Sequence, residues 1–164
     1  ATLTSQYVQA IQHTNCRILD TRKTTPGLRL LEKAATVAGG ATNHRMGLYD
    51  AILIKNNHIT AAGGVRQALE KTREAYLPVE IEVRTKEELN QALTYGAKHL
   101  LLDNLTPAEA KAWITHIDHR ATVELSGNIN LETVRAYAET GADYISVGAI
   151  THSARAVDIN FRIA

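Results

Sequence analysis

Five basic side chains cluster in the first third of the sequence: Arg22, Lys23, His44, Arg45 and Lys55. They lie in three short polar runs, Asp20-Thr21-Arg22-Lys23-Thr24, Asn43-His44-Arg45 and Lys55-Asn56-Asn57-His58. A guanidinium forks onto a carboxylate, so such a set suits a polyanionic or dicarboxylate ligand. Carboxylates follow: Glu80 and Glu82 stand two residues apart, on one face of any strand they share, and Asp103 precedes Asn104. These suit a divalent metal or the hydroxyls of a sugar. The last third carries Ser126-Gly127-Asn128 and Gly148-Ala149-Ile150-Thr151-His152. Backbone N–H groups in such small-residue loops can approach a phosphate closely.

Each set also has a plainer reading. Arg22-Lys23 alone is a solvated turn, and Lys55 a strand-end lysine whose stem packs while its charge stays wet. Glu80 and Glu82 fit the wet face of an edge strand or a polar barrel interior. His116 and His119 are three apart on a predicted helix but have no further ligand nearby in sequence, so they read as surface residues. His13 and Cys16 read as packing or surface residues, and Gly63-Gly64 as a break in a helical pattern.

What favours the chemical reading is where the sets fall. Strands are predicted at Arg17–Asp20, Ala51–Lys55, Val79–Val83, His99–Asp103, Thr122–Leu125 and Tyr144–Val147. Helices are expected at about 2–13, 27–38, 60–76, 86–95, 107–117 and 130–140. Thr85, Thr106 before Pro107, and Asn130 look like helix N-caps, and Gly96 and Gly141 like left-handed C-terminal caps. This alternation implies βαβ units, and a closed eightfold barrel takes about 250 residues. The fold class is therefore α/β, an open or partial β/α-barrel of about six parallel strands. In such folds the site lies at the C-terminal strand ends, where most of these polar runs fall.

Bulk properties set the outer bounds. The 164 residues, 45% hydrophobic and 21% charged, make about one globular domain, 1–164. Eighteen basic against 17 acidic residues argue against a polybasic nucleic-acid surface. The single cysteine forms no internal disulfide, which suits a reducing compartment. No apolar run approaches the roughly 20 residues of a membrane span, and no signal-peptide pattern is present. A cytoplasmic protein without nucleic-acid or membrane partners is expected. The chain opens at Ala1 inside a helical stripe of Leu3, Tyr7, Val8 and Ile11, so a preceding part is expected to be missing.

Three runs resemble the quinolinate phosphoribosyltransferases, also called nicotinate-nucleotide pyrophosphorylases (carboxylating). They are Ile18-Leu19-Asp20-Thr21-Arg22-Lys23-Thr24-Thr25-Pro26-Gly27-Leu28-Arg29, Gly39-Gly40-Ala41-Thr42-Asn43-His44-Arg45-Met46-Gly47-Leu48-Tyr49-Asp50 and Leu53-Ile54-Lys55-Asn56-Asn57-His58-Ile59. Leu102-Asp103-Asn104, Glu124-Leu125-Ser126-Gly127-Asn128 and Ile145-Ser146-Val147-Gly148-Ala149-Ile150-Thr151-His152 match in order, so the likeness covers nearly the whole chain. The resemblance implies conversion of quinolinate and phosphoribosyl pyrophosphate to nicotinate mononucleotide, CO2 and pyrophosphate, with Mg²⁺, in NAD biosynthesis. It also implies a homodimer or higher homo-oligomer and an N-terminal α/β domain absent from this chain.

Carried over residue by residue, the resemblance puts Arg22, His44, Arg45 and Lys55 on the quinolinate carboxylates, with Lys23 near them or the pyrophosphate. Glu82 and Asp103 take the ribose hydroxyls and, indirectly, the metal. Ser126, Gly127, Gly148 and His152 take the 5′-phosphate, and Asn128 and Ala149 join the substrate-binding set. Lys55, Glu82 and Asp103 are the expected catalytic residues. The rival readings are a sister transferase for another aromatic acid, a Schiff-base aldolase using Lys55, and a non-catalytic sugar-phosphate-binding barrel fragment.

Overall fold

Short strands rich in Ile, Leu and Val separate amphipathic helices along the chain, and in the computed structural model, which describes residues 1–163, they assemble into one parallel sheet. The elements run α1 (Thr2–Ile11), β1 (Arg17–Leu19), α2 (Arg29–Ala38), β2 (Ile52–Ile54), α3 (Asn56–Ala62), α4 (Val65–Glu70) and β3 (Val79–Val83). There follow α5 (Lys86–Thr94), β4 (His99–Asp103), α6 (Pro107–Ile117), β5 (Thr122–Ser126), α7 (Val134–Ala138), β6 (Tyr144–Ser146) and α8 (Ala149–His152). The strand order is β1-β6-β5-β4-β3-β2, and every pairing is parallel. The barrel is open between β1 and β2. There the segment at Thr42 lies along β1, with Thr42 N–H donating to Ile18 O at 2.9 Å and Asp20 N–H to Thr42 O at 3.3 Å.

Alternation along the strands divides helix side from barrel interior. Ile81, Val83, Leu100, Leu102, Val123, Leu125, Ile145 and Val147 are buried in one apolar cluster with Leu89 of α5, Trp113 of α6 and Val134 of α7. Each such side chain contributes about 1.5–3 kcal/mol by leaving water. The intervening residues pair across the other face. Leu53 is level with Glu80, Glu82 with Leu101, Leu101 with Glu124, Leu19 with Ser146, and Asp103 with Ser126. The polar face of β3 is thus the barrel interior, since β3 is flanked by β2 and β4 and is no edge strand.

Four of the five expected caps hold, and Asn130 is the exception, since α7 starts after Thr133. Thr85 Oγ1 accepts from Glu88 N–H at 3.1 Å, and Thr106 and Glu109 close a reciprocal capping box ahead of α6. Gly96 and Gly141 take left-handed conformations, with φ of 82° and 94°. Three helices depart from expectation. The predicted 60–76 helix is two helices, because Gly63 and Gly64, at φ 91° and 137°, interrupt the ladder. The 130–140 helix shrinks to α7, because Asn130 Oδ1 accepts from Glu132 and Thr133 N–H and holds a turn there first. The four-residue α8 was not anticipated.

Helix α2 has its polarity reversed. Lys33 and Thr36 are its buried residues, while Leu30 and Leu31 are 74% and 69% exposed. The reason lies in β1: Asp20, fully buried, pairs with Lys33 Nζ and accepts from Thr36 Oγ1 at 3.0 Å. The same carboxylate accepts the His44 backbone N–H at 2.8 Å. A buried charge is tolerated only when paired and hydrogen-bonded, and this one ties α2, β1 and the His44 loop together.

Candidate functional site

At the open side of the barrel a cavity of about 300 Å³ is lined by Arg22, Lys23, His44, Arg45, Lys55 and Ser126, together with Glu124. The first six were all expected from sequence. Arg22 and Lys23 follow the end of β1, His44 and Arg45 follow the segment beside it, and Lys55 lies between β2 and α3. Lys55 N–H donates to His58 Nδ1 at 2.9 Å, which fixes the backbone as the chain turns into α3.

The cations are crowded. Burial and the neighbouring charge of Arg22 lower the pKa of Arg45. Arg45 also donates to Ala51 O at 3.1 Å, which bridges the opening between β1 and β2. The buried Nε of Arg22 has no partner within the described residues. A buried N–H donor left unpaired costs free energy, and an anionic ligand would remove that cost.

Beneath them lies a cluster that the sequence showed only in part. His44 Nε2 stands 3.2 Å from Glu80 Oε2 and 3.3 Å from Glu124 Oε2, and Ser146 Oγ donates to Glu124. Burial opposes a charged imidazole, but hydrogen bonds and charge from Glu124 and Glu80 outweigh it and push the His44 pKa up to about 10. Burial also raises the pKa of Glu80, and Glu124 adds to the effect while His44 opposes it. Arg45 N–H points at His44 Nδ1 from 2.7 Å, which by itself favours a lone pair there and a neutral ring. With Nδ1 accepting from Arg45, the ring proton sits on Nε2 between the two glutamates, whose charge draws the imidazole pKa upward. Among the described residues these three form the one group spaced to hold a metal ion. The shared Nε2 proton already satisfies them. Glu124 belongs to the site although sequence reasoning did not place it there; its signal was an acidic residue alternating with Val123 and Leu125.

Glu82, whose side chain is 9% exposed, lies 3.5 Å from both Lys55 Nζ and Arg84 Nε. Lys55 itself is 51% exposed. A lysine that forms Schiff bases is usually desolvated or set beside another cation, so the aldolase reading loses ground. Asp103 caps β4 level with Ser126. Gly127 and Asn128 follow with φ of 106° and 51°. At the end of β6, a side chain on Gly148 would come within 2.7 Å of His152 Nε2 and 3.9 Å of Lys23 Cδ, so these three converge. Thr21 and Thr151 join the same strand ends at 3.1 Å. Glu82, Asp103, Gly127, Asn128, Gly148, Ala149 and His152 are outside the lining of the cationic cavity, on the strand ends around it.

The plainer readings hold elsewhere. His116 and His119 are exposed, and His116 meets Asn90 at 2.7 Å. Cys16 is buried in the core, which pushes its thiol pKa up to about 12. Among the described residues no helix is long and apolar enough to cross a membrane.

Comparison with known proteins places this geometry in context. The family model for the quinolinate phosphoribosyl transferase C-terminal domain matches residues 1–162. The chain is 45% identical over 164 residues to a nicotinate-nucleotide pyrophosphorylase [carboxylating] of Mycobacterium leprae, covering 97% of this chain and 58% of that protein. It is 42% identical to a probable enzyme of the same name from Bacillus subtilis, covering 99% of this chain and 57% of that one. The structure of the nicotinate-nucleotide pyrophosphorylase from Francisella tularensis superposes with a TM-score of 0.92 at 43% identity, over 96% of this chain and 57% of that one. The chain thus spans a little over half the length of these curated relatives.

Proposed function

The chain belongs to the quinolinate phosphoribosyl transferase C-terminal-domain family, and on that premise we propose that the protein carrying it transfers phosphoribose from phosphoribosyl pyrophosphate to quinolinate, with decarboxylation, in NAD biosynthesis. The observation that carries this reading is the cationic cavity with its unpartnered Arg22 Nε. Several cations around about 300 Å³, one with a donor unused, suit a small ligand bearing two carboxylates.

In the proposed reaction Arg22, Arg45 and Lys55 hold those carboxylates, with His44 beside them in the same lining. Glu80 and Glu124 hold the imidazole in orientation through Nε2. Ser126, Gly127, Asn128, Gly148, Ala149 and His152 receive the 5′-phosphate, and Lys23, close to Gly148, faces the phosphate groups. The pyridine nitrogen attacks the anomeric carbon as pyrophosphate leaves. Positive charge on the sugar is offset by Glu82 and Asp103. The quaternised ring then takes up the electron pair of the breaking bond to the adjacent carboxylate. CO2 leaves and the ring carbon takes a proton. Holding both substrates in register supplies much of the acceleration.

The residues fit a hard divalent cation. Asp103 Oδ1 has no hydrogen-bond partner among the described residues, whereas the two Glu82 oxygens already face Lys55 and Arg84, so Asp103 is the stronger candidate ligand. Bound there with pyrophosphate, Mg²⁺ would neutralise charge on the leaving group. The protein is further proposed to act in the cytoplasm as a homodimer or higher homo-oligomer, with an additional N-terminal domain.

Calorimetric titration of the protein with quinolinate, phthalate and nicotinate tests the reading. Both dicarboxylates should bind more tightly than nicotinate. Equal affinity for nicotinate would overturn the dicarboxylate assignment and favour a sister transferase.

A further inference from the structure

Strands β4 and β5 end in three consecutive-strand oddities that the proposed reaction leaves unexplained. Asn104 has φ 56° and Asn128 φ 51°, both left-handed without being glycine, and Gly127 between the strand and Asn128 has φ 106°. Backbone held in such sparsely populated regions clusters at functional sites, because the surrounding structure must impose it.

All three converge on one amide. Asn104 Nδ2 donates to Asp103 Oδ2 at 2.7 Å, and Asn104 Oδ1 accepts from Asn128 Nδ2 at 3.3 Å. Its backbone N–H donates to Ser126 O at 2.9 Å. A Cβ placed on Gly127 would lie 2.3 Å from Asn104 Oδ1 and 2.8 Å from Asn104 N. The missing side chain at 127 is therefore the space in which the Asn104 side chain lies. The amide can point only one way, since a carboxylate on one side needs the NH2 and the Asn128 donor on the other needs the oxygen.

Resting on the functional reading above, we propose that Asn104 is a positioning residue: its side-chain amide ties the Asp103 carboxylate to the Gly127–Asn128 turn. The groups that take the ribose and pyrophosphate are thereby set in fixed relation to those that take the 5′-phosphate. Asn104 touches neither substrate and acts through Asp103 and Asn128. Groups that orient a ligand-binding carboxylate in this way typically matter by roughly tenfold to hundredfold in affinity or activity.

Two variants separate the amide from the backbone. Asn104→Gly keeps the left-handed conformation at no steric cost and removes the amide. Asn104→Asp keeps the acceptor for Asn128 but turns a second carboxylate oxygen toward Asp103. Both should fold, bind quinolinate with unchanged affinity, and show a roughly tenfold to hundredfold loss in kcat/KM for phosphoribosyl pyrophosphate. In a double-mutant cycle with Asp103→Asn the losses should be far from additive, since both residues act through one carboxylate. Wild-type kinetics for phosphoribosyl pyrophosphate in Asn104→Gly would overturn the proposal and leave only a backbone role.

Hydrogen exchange supplies a readout free of turnover. The amides of Ser126–Asn128 should exchange faster in Asn104→Gly, and unchanged exchange would also overturn the tie. An inactive wild-type protein would instead sink the functional reading, and the exchange result would still decide the tie.

Discussion

The chain up to α3 and the part from β3 onward build the same barrel by different means. From β3 to β6, apolar alternation, side-chain caps and left-handed turns all agree with one another, and β3, β4 and β5 each run five residues. The earlier part has two strands of three residues that do not pair with each other, and a helix that buries a lysine and exposes leucines. Its order comes from a charged hub, Asp20 with Lys33, Thr36 and the His44 N–H. The irregular part supplies the cations, whereas the regular part supplies carboxylates and glycine turns. A surface that must gather like charges has less room for apolar packing, and specific ion pairs hold it instead.

The largest break should come at that hub. Lys33→Met leaves the Asp20 charge buried and unpaired, and should cost about 3–5 kcal/mol in urea unfolding. Adding Asp20→Asn should restore much of it. A Lys33→Met protein as stable as its parent would mean the two regions are held alike.

Next in size is a pH effect on the His44 cluster. A folded pKa near 10, above the usual 6.5, gives stability that is fully present below about pH 6.5 and lost as pH rises through about 10. Unfolding free energy should fall across that window in the parent, and Glu124→Gln should flatten the fall. A parent whose stability is constant from pH 6.5 to 10 would contradict the raised His44 pKa.

Arg22→Ala should separate binding from stability. A charge-assisted hydrogen bond is worth about 1.5–3 kcal/mol, so quinolinate should bind roughly tenfold to 150-fold more weakly in calorimetry. Because the deleted Nε has no protein partner, the unfolding midpoint should hardly move. The smallest effect belongs to the regular region. Thr106→Ala removes the cap of α6, should cost about 1 kcal/mol, and should leave quinolinate affinity unchanged.

Much of the regular region was legible beforehand. Thr85, Thr106, Gly96 and Gly141 act within one turn of the residues they cap, so local spacing reveals them. The cations were found because Arg22, Lys23 and Lys55 follow strands and His44 and Arg45 sit in the loop ahead of one. Lys33 was missed because a lysine in a helix ordinarily faces water, and only Asp20, thirteen residues away, makes its burial tolerable. Glu124 was missed as a site residue for the same reason: its partner His44 lies eighty positions earlier in the chain.

Local chemistry alone set the order of strands and helices, the caps, and the class of group at each strand end, because these depend on neighbours within a few residues. Only the tertiary structure decided which groups meet: Glu80 and Glu124 on His44, Lys33 on Asp20, Asn104 on Asp103 and Asn128. Strand order and register bring together residues dozens of positions apart, and burial then turns those meetings into ion pairs and shifted pKa values.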